Sequence, residues 1–118
     1  MRYESPIEML LGAALEGAFR GQPVTIWPQY NAGPYRYDFC IIIPGRCRVM
    51  VECDGKHYHR TQVQRRRDLA KDRYAKLITG RPCLRYTGSE IWRDAPGIAR
   101  QIRAAIAIPY TRHPQPLR

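Results

Sequence analysis

Between Tyr35 and Asp54 apolar and polar residues alternate. Odd positions Tyr35, Tyr37, Phe39, Ile41, Ile43, Cys47, Val49 and Val51 are apolar or aromatic, whereas even positions include Arg36, Asp38, Arg48, Glu52 and Asp54. A period of two is the signature of β-strands. Pro44-Gly45 interrupts the run and predicts a hairpin with one packed face and one face carrying the acids. Paired residues in an antiparallel ladder share a face, so their numbers must have an even sum. A loop over 44–46 pairs Ile43 with Cys47 and sets Asp38 opposite Glu52, as a five-residue loop also would; a two-residue loop would set Asp38 against Val51.

Helical spacing governs most of the remainder. Ser5-Pro6-Ile7-Glu8 is a helix start, with Ser5 as cap and Glu8 at the capping-box position, and Leu10, Leu11, Ala14, Leu15 and Phe19 follow at helical spacing until Gly21. This predicts a helix over roughly residues 5–20. Val24 to Pro28 is β-rich but holds a proline, which suits a short edge strand or an extended approach. A second helix is expected from Gln62 to Thr79, ended by Gly80. Its apolar side would be Leu69, Ala70, Tyr74, Leu77 and Ile78, and its opposite side Arg65, Arg66, Arg67, Lys71 and Arg73. Pro82 to Thr87 reads as another strand, Thr87 or Ser89 as the cap of a short helix through Trp92, and Pro96 to Ile106 as a last helix. The order predicts an α/β sandwich with a mixed central sheet: one domain over 1–108 and a basic, proline-rich tail over 109–118.

Charge changes the picture. Lys and Arg number 20 against 10 Asp and Glu, a formal +10. Such a field attracts polyanions, nucleic acid above all, although an ordinary basic protein has the same composition. No run approaches the roughly 20 apolar residues of a membrane span, and no signal-peptide pattern opens the chain, so a cytoplasmic protein is expected. Cys40, Cys47, Cys53 and Cys83 lack CxxC spacing and read as small buried residues rather than zinc ligands or a disulfide framework.

Asp38 and Glu52 on adjacent strands, with Asp54 on the side of Glu52, bring three hard oxygen ligands to one area. That donor set suits Mg²⁺ or Mn²⁺, which keep several waters and bind phosphate oxygens. The competing reading pairs these acids with the many arginines. Taken in order, Asp38, Glu52-Cys53-Asp54-Gly55, His59, Thr61, Gln64, Asp68, Asp72-Arg73 and Arg85-Tyr86-Thr87-Gly88-Ser89-Glu90-Ile91 resemble a bacterial and prophage group of endonuclease-like domains. That group is related to the very short patch repair endonucleases and belongs to the PD-(D/E)XK superfamily.

The resemblance covers Ser5 to about Asp94. It implies a restriction-endonuclease-like α/β/α sandwich in the order helix, three strands, helix, strand, C-terminal helices, with the metal on Asp38 and Glu52. It also implies that Glu8 can face the same site, against its capping role. The superfamily expects lysine two positions after the second acid, where this chain has Asp54. Lys56, His57 and His59 are nearby candidates for a cationic or proton-transfer group, His59 matching the group's histidine. Gln64, Asp68 and Asp72 form one helical stripe, with an orienting role or pairing with Lys71 and Arg73.

Arg60, Arg65, Arg66, Arg67 and Arg73, with Tyr58 and Trp92 for stacking, can follow a phosphate backbone. The expected activity is metal-dependent hydrolysis of DNA phosphodiesters in repair, restriction or mobile-element DNA processing, a homodimer being suited to cutting both strands. The rival readings are an inactive nucleic-acid-binding relative and an accessory subunit of a phage complex.

Overall fold

The computed structural model describes residues 3–55 and 61–112, with side chains through 106. Seven elements follow in the order α1 (Pro6–Ala18), β1 (Thr25–Ala32), β2 (Tyr35–Ile43), β3 (Cys47–Asp54), α2 (Gln62–Thr79), β4 (Leu84–Thr87) and α3 (Gly88–Arg112). The sheet runs β1-β2-β3-β4, antiparallel except for the parallel pair β3 and β4. It is the expected α/β/α sandwich with a mixed sheet. No helix among the described residues is long and apolar enough to cross a membrane.

Local chemistry explains the helix boundaries. Ser5 Oγ accepts the Glu8 amide, and Pro6 occupies the first turn, where its missing N–H is not needed. In α2 Thr61 and Gln64 form a reciprocal capping box, and Gly80 ends the helix at φ 78°. Thr87, not Ser89, caps α3, with Glu90 bonding back to the Thr87 amide. Helical stretches over 88–93 and 95–112 meet at Asp94, which is itself non-helical and caps the second through the Gly97 amide. The second stretch continues to Arg112, so the segment read as tail begins as helix.

One layer packs Leu11 and Leu15 of α1 with Ile98, Ala99 and Ile102 of α3 against Phe39, Ile41, Val49 and Val51. The other packs α2 through Ala75 against Tyr37, Cys40 and Met50. Both sheet faces are therefore covered, as the expected α/β/α sandwich requires. Each buried leucine contributes about 1.5–3 kcal/mol of apolar burial. The hairpin turn is the expected three-residue loop, with Ile43 opposite Cys47 and Phe39 opposite Val51.

The alternation itself changes hands. Tyr35 and Tyr37 pack towards α2, whereas Phe39, Ile41 and Ile43 pack towards α1 and α3. Strand β1 exchanges faces at the same level: Ile26 lies in the α1 layer and Tyr30 and Ala32 in the α2 layer. Pro28 pairs with Phe39 and Tyr30 with Tyr37, but Gln29 and Asp38 between them are unpaired, and Gln29 has φ 51°. A left-handed residue turns the strand about its axis, so the side chains beyond it leave from the opposite face. Strand β1 is also longer than expected, running past Pro28 to Ala32, because Pro28 lies on the sheet edge where its missing donor costs little.

The apolar side expected for α2 is met only in part: Tyr74 and Ile78 pack against the sheet as expected. Leu69 and Leu77 are 60% and 77% exposed, while Lys71, Asp72 and Ala75 turn to the sheet. The helix is rotated to bring charge inward, because the sheet beneath it presents Glu52, Asp54 and Arg85, and partly buried charges need partners.

Candidate active site

The pairing of β2 with β3 ends at Phe39 and Val51. One step further the side chains replace it: the Asp38 amide donates to Glu52 Oε2 at 2.7 Å, and the Cys53 amide donates to Asp38 Oδ2 at 2.7 Å. The strands part just enough for two carboxylates to lie between them. Glu52 is buried at 8% exposure. Asp38 is half-buried, and its Oδ1 accepts no hydrogen bond among the described residues.

Glu8 completes the acidic edge from α1. It is also 8% exposed, and its Oε1 accepts the Gln29 Nε2 at 2.7 Å and the Glu4 amide at 3.2 Å, while Oε2 accepts the Ser5 hydroxyl at 3.3 Å. Glu8 thus ties down the helix start through the Glu4 amide and the Ser5 hydroxyl, not through the Ser5 amide of a capping box, and its charge lies near enough to Asp38 to act on it. Sequence reasoning misses Gln29. Its side chain reaches Glu8 from the strand position where the sheet changes faces, a conformation with no sequence signal beyond the neighbouring Pro28.

Burial and then the charge of Glu52 raise the Asp38 carboxyl to about 7, with Glu8 adding to the rise, against the lowering effects of the Cys53 amide and Lys71. Burial and then the negative charge of Asp38 push the Cys53 thiol up as well. The four cysteines are free thiols, Cys40 being buried.

Lys71 lies against the acids. Its Nζ is 2.7 Å from Glu52 Oε1 and 4.9 Å from the centre of the Tyr37 ring, and its side chain is 17% exposed. The Tyr37 hydroxyl donates to the Lys71 carbonyl at 2.6 Å, holding that turn of α2 against the sheet. Periodicity alone puts Lys71 on the outer, arginine-bearing side of the helix. The i+4 stripe of Asp68 and Asp72, with Lys71 beside it, is the available signal, but it does not say which way the helix faces.

Asp54 points to Arg85 of β4, whose Nη1 lies 3.2 Å from its Oδ1. Arg85 also donates from Nε and Nη2 to Asp72, and Asp68 lies 3.8 Å from Nη2. Burial alone would lower the Arg85 guanidinium, but the bonds to Asp72 outweigh it and raise it. Asp68 and Asp72 thus meet the β4 arginine, while Gln64 is exposed and engaged in its capping box. Arg65, Arg66, Arg67 and Arg73 are exposed on α2. Lys56, His57, Tyr58, His59 and Arg60 lie outside the described residues.

An open groove of about 470 Å³ leads along Pro6, Glu8, Cys53 and Gly55 to Trp92, which is 63% exposed. The donor chemistry fits a hard divalent cation. Asp38 and Glu52 concentrate negative charge, and Asp38 Oδ1 lacks a partner among the described residues, although these hold no grouping of three His, Cys, Asp or Glu that forms a ready metal cage. A protein supplying two or three oxygens leaves the remaining positions to water and phosphate, as Mg²⁺ prefers.

None of the curated proteins matches the chain. A family model does, REase_MTES_1575, over residues 14–106, a span containing all four strands, Asp38, Glu52 and Lys71. The chain therefore belongs to this restriction-endonuclease-like family.

Proposed function

We propose that the protein is a metal-dependent endonuclease acting on DNA, with Asp38 and Glu52 holding Mg²⁺ or Mn²⁺ and Glu8 supporting them. The supporting observation is that two carboxylates meet at the parting ends of β2 and β3, close enough for Glu52 to help hold the Asp38 carboxyl near 7. Membership of a restriction-endonuclease-like family supports DNA as the substrate. When bound, the cation would polarise a phosphoryl oxygen and acidify a water.

The chain's own residues supply the setting. The amides of Asp38 and Cys53 orient the two carboxylates, α2 covers the site on one face, and the exposed arginines of that helix attract the phosphate backbone. Asp54 or Lys56 would help position the attacking water, His59 would transfer its proton, and Arg60 would contact phosphate. The finer kinship to very short patch repair endonucleases, and a place in repair, restriction or mobile-element DNA processing, rest on the order of the motifs. Two-strand cutting would call for a homodimer.

The decisive experiment incubates the protein with labelled duplex, single-stranded, mismatched and branched DNA, with and without Mn²⁺. The expected result is cation-dependent cleavage that Asp38→Ala abolishes while binding persists. A second reading, a binding module without catalysis, draws on the ion pair between Lys71 and Glu52, which partly neutralises the acids without any metal. It predicts salt-sensitive binding and no cleavage with any cation.

A further inference from the structure

We infer that Lys71 of α2 is the catalytic cation of this site, doing from the covering helix what the superfamily's strand lysine would do from position 54. The inference rests on the nuclease reading above. Position 54 holds an aspartate, and that aspartate faces Arg85. The ammonium of Lys71 instead lies 2.7 Å from Glu52.

Three observations separate Lys71 from an ordinary surface lysine. The first is orientation: α2 leaves Leu69 and Leu77 in solvent while turning Lys71 to the sheet, the reverse of what apolar burial alone favours. The second is fixation by Tyr37 at two points, its ring against the ammonium and its hydroxyl bonded to the Lys71 carbonyl. The third is donor capacity. An ammonium has three N–H groups, and among the described residues that of Lys71 hydrogen-bonds only to Glu52, so two remain for a water and a phosphate oxygen.

Arg85 does not compete for this role. Each of its three nitrogens already donates to a carboxylate, Nε and Nη2 to Asp72 and Nη1 to Asp54, which turns the guanidinium towards those acids and not towards Asp38 and Glu52. A buried ion pair is weak evidence for stability, because desolvating both charges offsets their attraction. Lys71 does answer the buried charge of Glu52, but the pair as a whole adds little over an apolar pair of the same size, so stability gives little reason to keep both charges here.

In the reaction a water oxygen forms a bond to phosphorus as the bond from phosphorus to the leaving oxygen breaks. The water's proton passes to the proton-transfer group proposed above and from it to solvent, and the leaving oxygen takes one from solvent. Lys71 loses no proton; its N–H groups hold the attacking water and bond to a non-bridging oxygen as charge grows there.

The test compares Lys71→Met, Lys71→Arg and the unaltered protein in single-turnover cleavage, DNA binding, Mn²⁺ titration and thermal melting. Cleavage by folded Lys71→Met is expected to fall roughly 10²-fold or more at saturating DNA and Mn²⁺, with both affinities within about threefold of the unaltered protein. Lys71→Arg is expected to recover about tenfold of that loss. If methionine prevents folding, Lys71→Gln, which can bond to Glu52 without charge, is read in the same way.

Cleavage by the folded variant within about threefold of the unaltered protein overturns the inference. So does Mn²⁺ binding about tenfold tighter with no loss of cleavage, which would make Lys71 only a counter-ion in the cation's place. Loss of cleavage in step with loss of Mn²⁺ affinity also overturns it, because the lysine would then only shape Glu52. If the unaltered protein cuts no DNA in the panel, the nuclease reading falls and takes the lysine's role with it; equal cutting by both proteins removes the lysine alone.

Discussion

Asp38 and Glu52 close the gap between their own strands: the amide of the first bonds to the carboxylate of the second, and the carboxylate of the first bonds to the amide one residue beyond the second, each at 2.7 Å. The same bonds that end the ladder fix the acids side by side. Removing either acid therefore tests chemistry and local structure together, which makes isosteric amides the informative substitutions.

Asp38→Asn keeps an oxygen for the Cys53 amide and removes the charge. Mn²⁺ affinity is expected to fall about tenfold or more and cleavage roughly 10²-fold, with DNA binding retained. Calorimetric Mn²⁺ titration and cleavage of labelled DNA read these separately, and unchanged Mn²⁺ affinity would remove Asp38 from the ligand set.

The raised Asp38 carboxyl makes the metal-free protein sensitive to pH. In the unfolded chain this group ionises near its ordinary 3.8, but in the fold only near 7. Its contribution to stability is thus fully present below about pH 4 and lost as pH rises through about 7, by an amount on the order of 4 kcal/mol. Urea unfolding at pH 4.5 and 8 should show this loss in the unaltered protein relative to Asp38→Asn. Added Mn²⁺ should reverse it at pH 8, and parallel pH profiles for the two proteins would contradict the assignment.

Glu8→Gln separates the two roles of that residue. An amide oxygen can still accept from Gln29 and from the helix start, so stability should change by less than about 1 kcal/mol. If the charge supports the site, Mn²⁺ affinity falls by up to about tenfold. Unchanged affinity in a fully stable variant would leave Glu8 with the cap alone.

Replacing Arg65, Arg66 and Arg67 together by alanine should weaken DNA binding similarly for every sequence. It should also reduce the slope of log affinity against log salt by roughly 0.9 for each phosphate that the variant no longer neutralises. Fluorescence anisotropy across a salt series measures this, and an unaltered slope would move the phosphate track elsewhere.

Much of the fold was legible because its signals are local. Ser5 with Pro6, Thr61 with Gln64, and Gly80 mark helix ends by chemistry confined to a few residues, and the parity of apolar positions around Pro44-Gly45 sets the hairpin register. The face exchange at Gln29 and Asp38 left no such mark. Apolar residues occupy 35, 37, 39, 41 and 43 whether the strand keeps its sense or reverses it, and Cys40 and Ile42 supply apolar groups for the other side.

The amino-acid sequence by itself set acids at 38 and 52 opposite one another for a loop of three or five residues, since a period of two requires paired positions to share a face, and the observed register has that sense. Only the tertiary structure decided which helix face would cover them. Read by periodicity, α2 offers Leu69 and Leu77; packed on this sheet, it turns in Lys71, Asp68 and Asp72, because Glu52, Asp54 and Arg85 lie beneath it. Unpaired charge under a helix costs more than two leucines left in water, and that balance is set by groups on other elements, far along the chain from the helix they orient.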